Sequence, residues 1–407
     1  MNCRHCNNAL EHTFLDLGFA PPSNAYVSKD KLVQPEKYFP LKVKVCDKCW
    51  LVQTEDYAEA EDLFSEDYAY FSSTSSGWLS HAKRYVEEMV EQLSLDHKSH
   101  VIEVASNDGY LLRNFVSKGI PCLGIEPTAS TAAASEKLDI PLLQEFFSEN
   151  LGIQLASRGQ KADLILGNNV YAHVPDINDF TKGLKAALKS GGTVTLEFPH
   201  LLNLLKYNQF DTVYHEHFSY LSLYTVSQIF EKAGLKVFDV EKLSTHGGSI
   251  RVFGCHMEHN RPISTAVEDL LSEEKDSGLQ TLDLYTKFQE KAEKVKDDFL
   301  LFLLEKKKAG LKVAAYGAAA KGNTLLNYAG VKPDLLSFVC DAALAKQSKY
   351  MPGSHIPILP PEELFVNKLD YLVILPWNIA NEVKEQNVTL VNQGVKFVIA
   401  VPHLQIL

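Results

Sequence analysis

His100-Val101-Ile102-Glu103-Val104-Ala105-Ser106-Asn107-Asp108-Gly109 decides the fold. A short apolar run enters a turn of small residues that ends on glycine, and a helical pattern follows. In a doubly wound α/β protein such a turn brings backbone N–H groups close to a ligand. Working outward, Cys122-Leu123-Gly124-Ile125-Glu126 is a second buried strand, and residues 163–167 and 193–198 supply two more. Helical stretches lie between them, which predicts a parallel sheet covered on both faces. Residues 236–240 and 248–253 follow one another with no helix between, and predict an antiparallel hairpin closing the sheet.

On the N-terminal side, Leu41-Lys42-Val43-Lys44-Val45 alternates as a strand, and residues from about 79 to 95 carry apolar positions at helical spacing. On the C-terminal side, residues 263 to about 308 are dense in charge, with no Gly or Pro between Leu279 and Ala309. They read as a bridging helical hairpin or long helix with a solvated charged face. A second α/β unit starts at Val313-Ala314-Ala315-Tyr316-Gly317 and continues through strands at 336–341, 371–375 and 395–399. The expected units are residues 1–70, 71–258, and 259–407, the last joining the helical connector to a Rossmann-like domain.

Bulk properties fit a globular enzyme: 407 residues, 45% hydrophobic and 22% charged. A net charge of −11 argues against nucleic acid and against anionic membranes as partners. No apolar run approaches the roughly 20 residues of a membrane span, and Met1-Asn2-Cys3-Arg4-His5-Cys6 has no signal-peptide character. A cytoplasmic, reducing location is the expectation, with thiols available for metal.

Cys3-x-x-Cys6 and Cys46-x-x-Cys49 are the strongest metal signal. Two such knuckles converge four thiolates on one tetrahedral Zn2+, leaving no open position, so the expected role is structural. Around the first strand, Glu103, Ser106, Asn107 and Gly109, with Glu126 and Asn168, form the candidate cofactor set. Glu126 ends the second strand, where a carboxylate accepts ribose hydroxyls. The G-x-G-x-x-G of nicotinamide binding is absent, and an acid at 103 suits the cationic methionine part of S-adenosylmethionine. A purely structural turn is the alternative.

Tyr214-His215-Glu216-His217-Phe218-Ser219-Tyr220 lacks the H-E-x-x-H spacing of a zinc protease. In an extended segment His215 and His217 would share one face, with Glu216 on the other. Its place after a candidate strand puts it at the ligand-binding edge, as does that of His173. Tyr316-Gly317-Ala318-Ala319-Ala320-Lys321-Gly322-Asn323 again joins strand to helix, with a lysine, and looks made for a phosphate. Asp341 ends the next strand, where a ribose or sugar hydroxyl would lie. A relic turn with nothing bound is the alternative.

Together these motifs, with Gly247-Gly248-Ser249-Ile250-Arg251, resemble the nucleotide-sugar C-methyltransferases of deoxysugar biosynthesis, over essentially the whole chain. The resemblance implies a class I S-adenosylmethionine methyltransferase domain between a small zinc domain and a Rossmann-like domain that holds a nucleotide-sugar, here a dTDP-sugar. It implies C-3 methylation of a 4-keto sugar. It places active-site roles on Tyr68, His173, Tyr214, Glu216 and His217, with His217 as general base, and substrate contacts on Gly317, Lys321, Asn323 and Asp341. Ala319 stands where proline is expected. The rival readings are an O- or N-methyltransferase on a small metabolite or sugar, and a non-catalytic zinc-ribbon binding protein.

Overall fold

The computed structural model describes residues 1–55 and 71–407, so Tyr68 lies outside the described residues. The N-terminal strands are β1 (His12–Ala20), β2 (Phe39–Val45) and β3 (Val52–Thr54). Along β2 the side chains of Leu41, Val43 and Val45 are buried while Lys42 and Lys44 are half-buried, as a two-residue period requires. The middle region contributes β4 (Val101–Val104), β5 (Cys122–Ile125), β6 (Leu142–Leu143), β7 (Ala162–Asn168) and β8 (Leu188–Pro199). Then come β9 (Ser219–Tyr220), β10 (Leu235–Leu243) and β11 (Ser249–His256).

Strands β4 to β8, β10 and β11 form one sheet in the order β10-β11-β8-β7-β4-β5-β6. The first five pair in parallel, and β11 lies antiparallel to both β8 and β10. The chain enters at the centre, winds to one edge and returns beside its starting strand. The crevice beyond β4 and β7 is therefore a topological switch point, where doubly wound sheets bind ligands. This is the class I methyltransferase arrangement, with the expected hairpin at its end.

The same logic recurs at the C-terminal end. Strands β12 (Val313–Tyr316), β13 (Val339–Cys340), β14 (Ile358–Leu359), β15 (Tyr371–Ile374), β16 (Lys396–Ile399) and β17 (Gln405–Ile406) order as β14-β13-β12-β15-β16-β17. Only β17 pairs antiparallel. Here the switch lies between β12 and β15, so the loops after those strands meet.

Between the two sheets run the helices Thr265–Asp276, Leu282–Thr286 and Phe288–Lys308. The longest buries Phe288, Ala292, Val295, Phe299, Phe302 and Leu303, an apolar stripe at helical spacing. That stripe shares one core with Phe14, Leu15 and Val43 of the N-terminal strands and Val313 of the last sheet. Phe14 stacks on Phe288 with ring centroids 4.8 Å apart. Strand β9 is not part of the methyltransferase sheet: it pairs with β3, Val52 opposite Tyr220 and Gln53 opposite Ser219. No helix among the described residues is long and apolar enough to cross a membrane.

Candidate active site and zinc centre

The sulfur atoms of Cys3, Cys6, Cys46 and Cys49 lie within 4.8 Å of one another. The closest pairs, Cys3–Cys49 and Cys6–Cys46, are each 3.5 Å apart. With Zn–S bonds of about 2.3 Å the edge of a tetrahedron is about 3.8 Å, so the four sulfurs fit one Zn2+. Asn7 and Trp50, one residue past each knuckle, take left-handed φ of 63° and 60°. Each donates its N–H back to the carbonyl of the knuckle's first cysteine, at 2.9 Å and 3.0 Å. This tight return points both thiols of a pair the same way.

A cleft of about 1140 Å³ runs along the switch points of both α/β sheets. That exceeds the range of a single small-molecule pocket, roughly 300–1,000 Å³, and suits two ligands side by side. At one end Glu126 accepts N–H bonds from Asn107 at 3.0 Å and Thr128 at 2.9 Å, one on each carboxylate oxygen. Each oxygen keeps a second acceptor direction for a ligand hydroxyl. Asn107 reaches this position with φ of 50°, and its Oδ1 accepts from Ser72 N–H at 2.9 Å, tying the turn to the segment before the helix Ser76–Gln92. Asn168, at the end of β7, lines the cleft. Neither atom of its buried side-chain amide has a partner among the described residues. Buried amides are ordinarily satisfied, so a ligand is the natural partner.

At mid-cleft stand His173, Tyr214 and His217. The His173 and His217 ring centroids are 4.6 Å apart, and those of Tyr214 and His217 are 4.0 Å apart. His217 Nδ1 lies 2.9 Å from the Thr212 carbonyl. A carbonyl only accepts, so Nδ1 carries the proton and Nε2 keeps its lone pair. Burial, then the neighbouring His173, push the His217 pKa well below 6.5, against the pull of that carbonyl. The ring is thus a neutral base around pH 7.

A buried polar network backs the lining residues His81, Thr245 and Arg251. Glu197 accepts from Arg251 Nη2 at 2.8 Å and from Thr245 Oγ1 at 2.8 Å, and lies 2.8 Å from His81 Nε2. Burial pushes the Glu197 carboxyl up, but the His81 hydrogen bond and the Arg251 charge outweigh it and hold it below the usual range. The far end belongs to the last sheet. Lys321 Nζ donates to Asn378 Oδ1 at 2.7 Å and rides over the Trp377 ring, 4.6 Å from its centroid. Trp377 in turn donates to Asp211 Oδ2 at 2.7 Å.

Seven of the sequence candidates therefore line one cleft: Asn107, Glu126, Asn168, His173, Tyr214, His217 and Lys321. Others stand behind its wall. Glu103 is 1% exposed, and burial, then Asp108 and Glu126, raise its pKa well above the usual range. Glu103 is not among the residues lining the cleft, and its Oε2 is buried with no hydrogen-bond partner among the described residues. Ser106 is fully buried beneath the turn, where Gly124 leaves it room.

Gly109 has φ of +76°, and a Cβ there would meet Ile140 Cδ1 at 2.5 Å. The glycine therefore answers both to the left-handed φ and to packing beneath the turn. Gly317, with φ of +89°, likewise makes room for Pro376, whose Cδ would lie 2.4 Å from a Cβ. Asn323 is 1% exposed and its Oδ1 accepts from Asn327. Asp341 accepts the Ala318 and Ala343 N–H groups at 2.8 Å each, so it holds the loop's shape.

Residues 214–217 form a turn and not an extended segment, so His215 and His217 do not share a face by alternation. His217 N–H bonds the Tyr214 carbonyl at 3.0 Å, closing a tight turn. His215 goes to Phe39 and the Pro40 carbonyl, and Glu216 Oε1 accepts from Asn24 N–H and Nδ2 at 3.3 Å and 3.2 Å. Only His217 of the three lines the cleft. Sequence reasoning missed Asn24, His81, Asn169, His246 and Lys346, all of which line it. His246 sits beside the Gly247-Gly248 pair, a signal that was visible, and its Nε2 lies 2.7 Å from Asn169 Nδ2.

Comparisons with known proteins find matches along the whole chain. Three family models match: a zinc binding domain at residues 3–64, a methyltransferase domain at 78–240, and a C-methyltransferase C-terminal domain at 244–402. C-methyltransferase NovU of Streptomyces niveus is 32% identical over 405 residues, covering 100% of this chain and 96% of that protein. Among solved structures, an S-adenosylmethionine-dependent methyltransferase from Clostridium acetobutylicum ATCC 824 is 13% identical, with TM-score 0.36 over 44% of this chain and 92% of its own. Magnesium protoporphyrin IX methyltransferase from Synechocystis PCC 6803, with bound SAH, is 14% identical, with TM-score 0.35 over 44% and 83%. The assignment rests on the matches along the sequence, which span zinc knuckles, cofactor sheet and C-terminal unit alike. The chain belongs to the C-methyltransferase family and is an S-adenosylmethionine-dependent enzyme that carries a zinc-binding domain.

Proposed function

We propose that this enzyme methylates a carbon next to the ketone of a nucleotide-linked keto-deoxysugar, a dTDP-4-keto sugar methylated at C-3. The observation that carries the reading is the continuity of the cleft. It passes from Glu126 and Asn168, by His173, Tyr214 and His217, to Lys321 and Lys346 on the second Rossmann-like unit. A small free acceptor would need no second α/β unit, and a binding ribbon would need no buried neutral base. The proposed units are residues 1–70, 71–258 and 259–407.

In this reading Glu126 holds the cofactor ribose, Asn107 and Asn168 line the rest of its site, and Lys321 carries the substrate's diphosphate. When bound, S-adenosylmethionine supplies an electrophilic methyl group. A carbon beside a ketone is weakly acidic, so a base must remove its proton while the developing enolate oxygen receives hydrogen bonds. His217 Nε2 takes that proton, its other nitrogen held by the Thr212 carbonyl. In the same reading Tyr214 and His173, which line the cleft beside His217, contact the reacting atoms. Glu216 supports the loop from behind by holding Asn24. Tyr68, which lies outside the described residues, takes the part of a hydrogen-bond donor to the keto oxygen in this reading.

The test pairs turnover with exchange. Wild-type enzyme should transfer labelled methyl to a dTDP-4-keto-deoxysugar and not to the same sugar without its nucleotide. With S-adenosylhomocysteine in place of the methyl donor, it should wash deuterium into the carbon to be methylated. His217→Asn should slow both by about 10²-fold or more, the usual scale of general acid–base catalysis. Exchange at the wild-type rate would assign the base elsewhere.

A further inference from the structure

Arg4 lies inside the first zinc knuckle, between Cys3 and Cys6, yet its side chain works at the mid-cleft loops. Its Nη1 donates to the Pro175 carbonyl at 2.8 Å, two residues past His173. Its Nη2 donates to the Thr54 carbonyl at 3.0 Å, and the guanidinium lies over the Phe218 ring, 5.4 Å from the centroid. Phe218 directly follows His217. Thr54 closes the link, donating from Oγ1 to the His217 carbonyl at 3.3 Å and from N–H to the Phe218 carbonyl at 3.1 Å. The loops that carry the two histidines thus meet on one planar cation, and the histidine rings pack edge to face with centroids 4.6 Å apart.

The cation is itself held from the metal side. Arg4 N–H donates to Gln53 Oε1 at 2.9 Å, and the fully buried Gln53 gives its Nε2 to Cys3 Sγ at 3.2 Å. Asn178 Nδ2 donates to the Arg4 and His5 carbonyls at 3.0 Å and 2.9 Å, and Lys232 donates to the His5 carbonyl at 2.8 Å. A guanidinium sends its N–H groups in fixed directions, so two bonds from one fork set the spacing of two loops in a way an ammonium does not.

We propose that Arg4 is a positioning residue: it uses the zinc knuckle as an anchor to set His173 and His217 against each other. The zinc centre then serves the chemistry at a distance, without touching substrate. This inference rests on the reading of His173 and His217 as the reacting pair, and the experiment separates the two.

Arg4→Met keeps the apolar stem and removes the fork; Arg4→Lys keeps the charge. With a dTDP-4-keto-deoxysugar, Arg4→Met should lower kcat about 10-fold, because sub-ångström misplacement of a base is costly. The substrate KM, the affinity for S-adenosylhomocysteine and one zinc per chain should be retained, and Arg4→Lys should fall between. In ligand-free protein labelled with 15N-histidine, the His217 signals should lose their single Nδ1–H form in Arg4→Met. Wild-type kcat with unchanged His217 signals would overturn the proposal, as would a fall in kcat that simply tracks lost zinc and lost thermal stability. If His217→Asn keeps full turnover, the base assignment fails, and the histidine signals still decide whether Arg4 positions that ring.

Discussion

Replacing Glu126 with Gln tests the cofactor end of the cleft, and its effect can be worked out atom by atom. The carboxylate offers about four acceptor directions. Two are taken by the N–H groups of Asn107 and Thr128, at 3.0 Å and 2.9 Å, and two remain for ribose hydroxyls. Glutamine keeps one oxygen and presents a donor where the other stood, so one backbone N–H and one hydroxyl each lose their acceptor. The backbone loss is present with or without ligand. It should appear as a stability loss of about 1–3 kcal/mol, the cost of an orphaned buried donor. Only the lost hydroxyl bond enters the binding constant. A hydrogen bond to a charged group is worth about 1.5–3 kcal/mol, so affinity should fall roughly 10- to 150-fold. Calorimetry with S-adenosylhomocysteine and a thermal melt of the free protein measure the two terms separately. Affinity within twofold of wild type, alongside a lowered melting temperature, would show that Glu126 only pins the turn.

Lys321→Ala should raise the nucleotide-sugar KM more than it lowers kcat, since uniform binding is what a phosphate contact supplies; steady-state kinetics showing the reverse would move Lys321 into the chemical step. Metal analysis of untreated protein should find one zinc per chain, and Cys49→Ser should lose it together with N-terminal stability, because structural zinc binding is folding energy; a metal content near zero in folded protein refutes the site. Burial pushes His173 and His246 down to about 4 from 6.5, so the unfolded chain binds more protons between those values. Their contribution to stability should be complete above about pH 6.5 and lost as the pH falls toward 4, so the urea midpoint should be lower at pH 5 than at pH 7.5. His217 is lowered for the same reason, so the acidic limb of the kcat–pH profile should lie well below 6.5.

The methyltransferase sheet was legible because its central strands are largely buried and read as short, mostly apolar runs, Val101–Val104 broken by Glu103 and Ala162–Asn168 by Asp163. The hairpin of β10 and β11 announced itself by the missing helix. The two-residue strand β9 could not be read, since Ser219-Tyr220 has no period and its partner Gln53 lies far away in sequence. Loop positions were found, but not the reasons for their residues. Gly109 and Gly317 answer to Ile140 and Pro376, contacts that no local pattern encodes. The same holds for Glu103, whose strand position was clear while its closure from the cleft depends on the packing around it. His246 and Arg4 escaped notice because each is a single polar residue whose partners come from distant segments.

The pairing of β3 with β9, and of Phe14 with Phe288, has a consequence for how the protein is made. Translation delivers the knuckles and their strands before the two α/β units, but the edge of β3 finds its neighbour only after residue 220 has emerged. The apolar face of the same sheet is covered only after the helix Phe288–Lys308 exists. Until then the nascent chain carries an open strand edge and exposed Phe14, Leu15 and Val43, the features that invite wrong pairing. The knuckle strands, made before the middle sheet, are thus covered only after it, and the cysteine pairs give them an early local anchor while they wait.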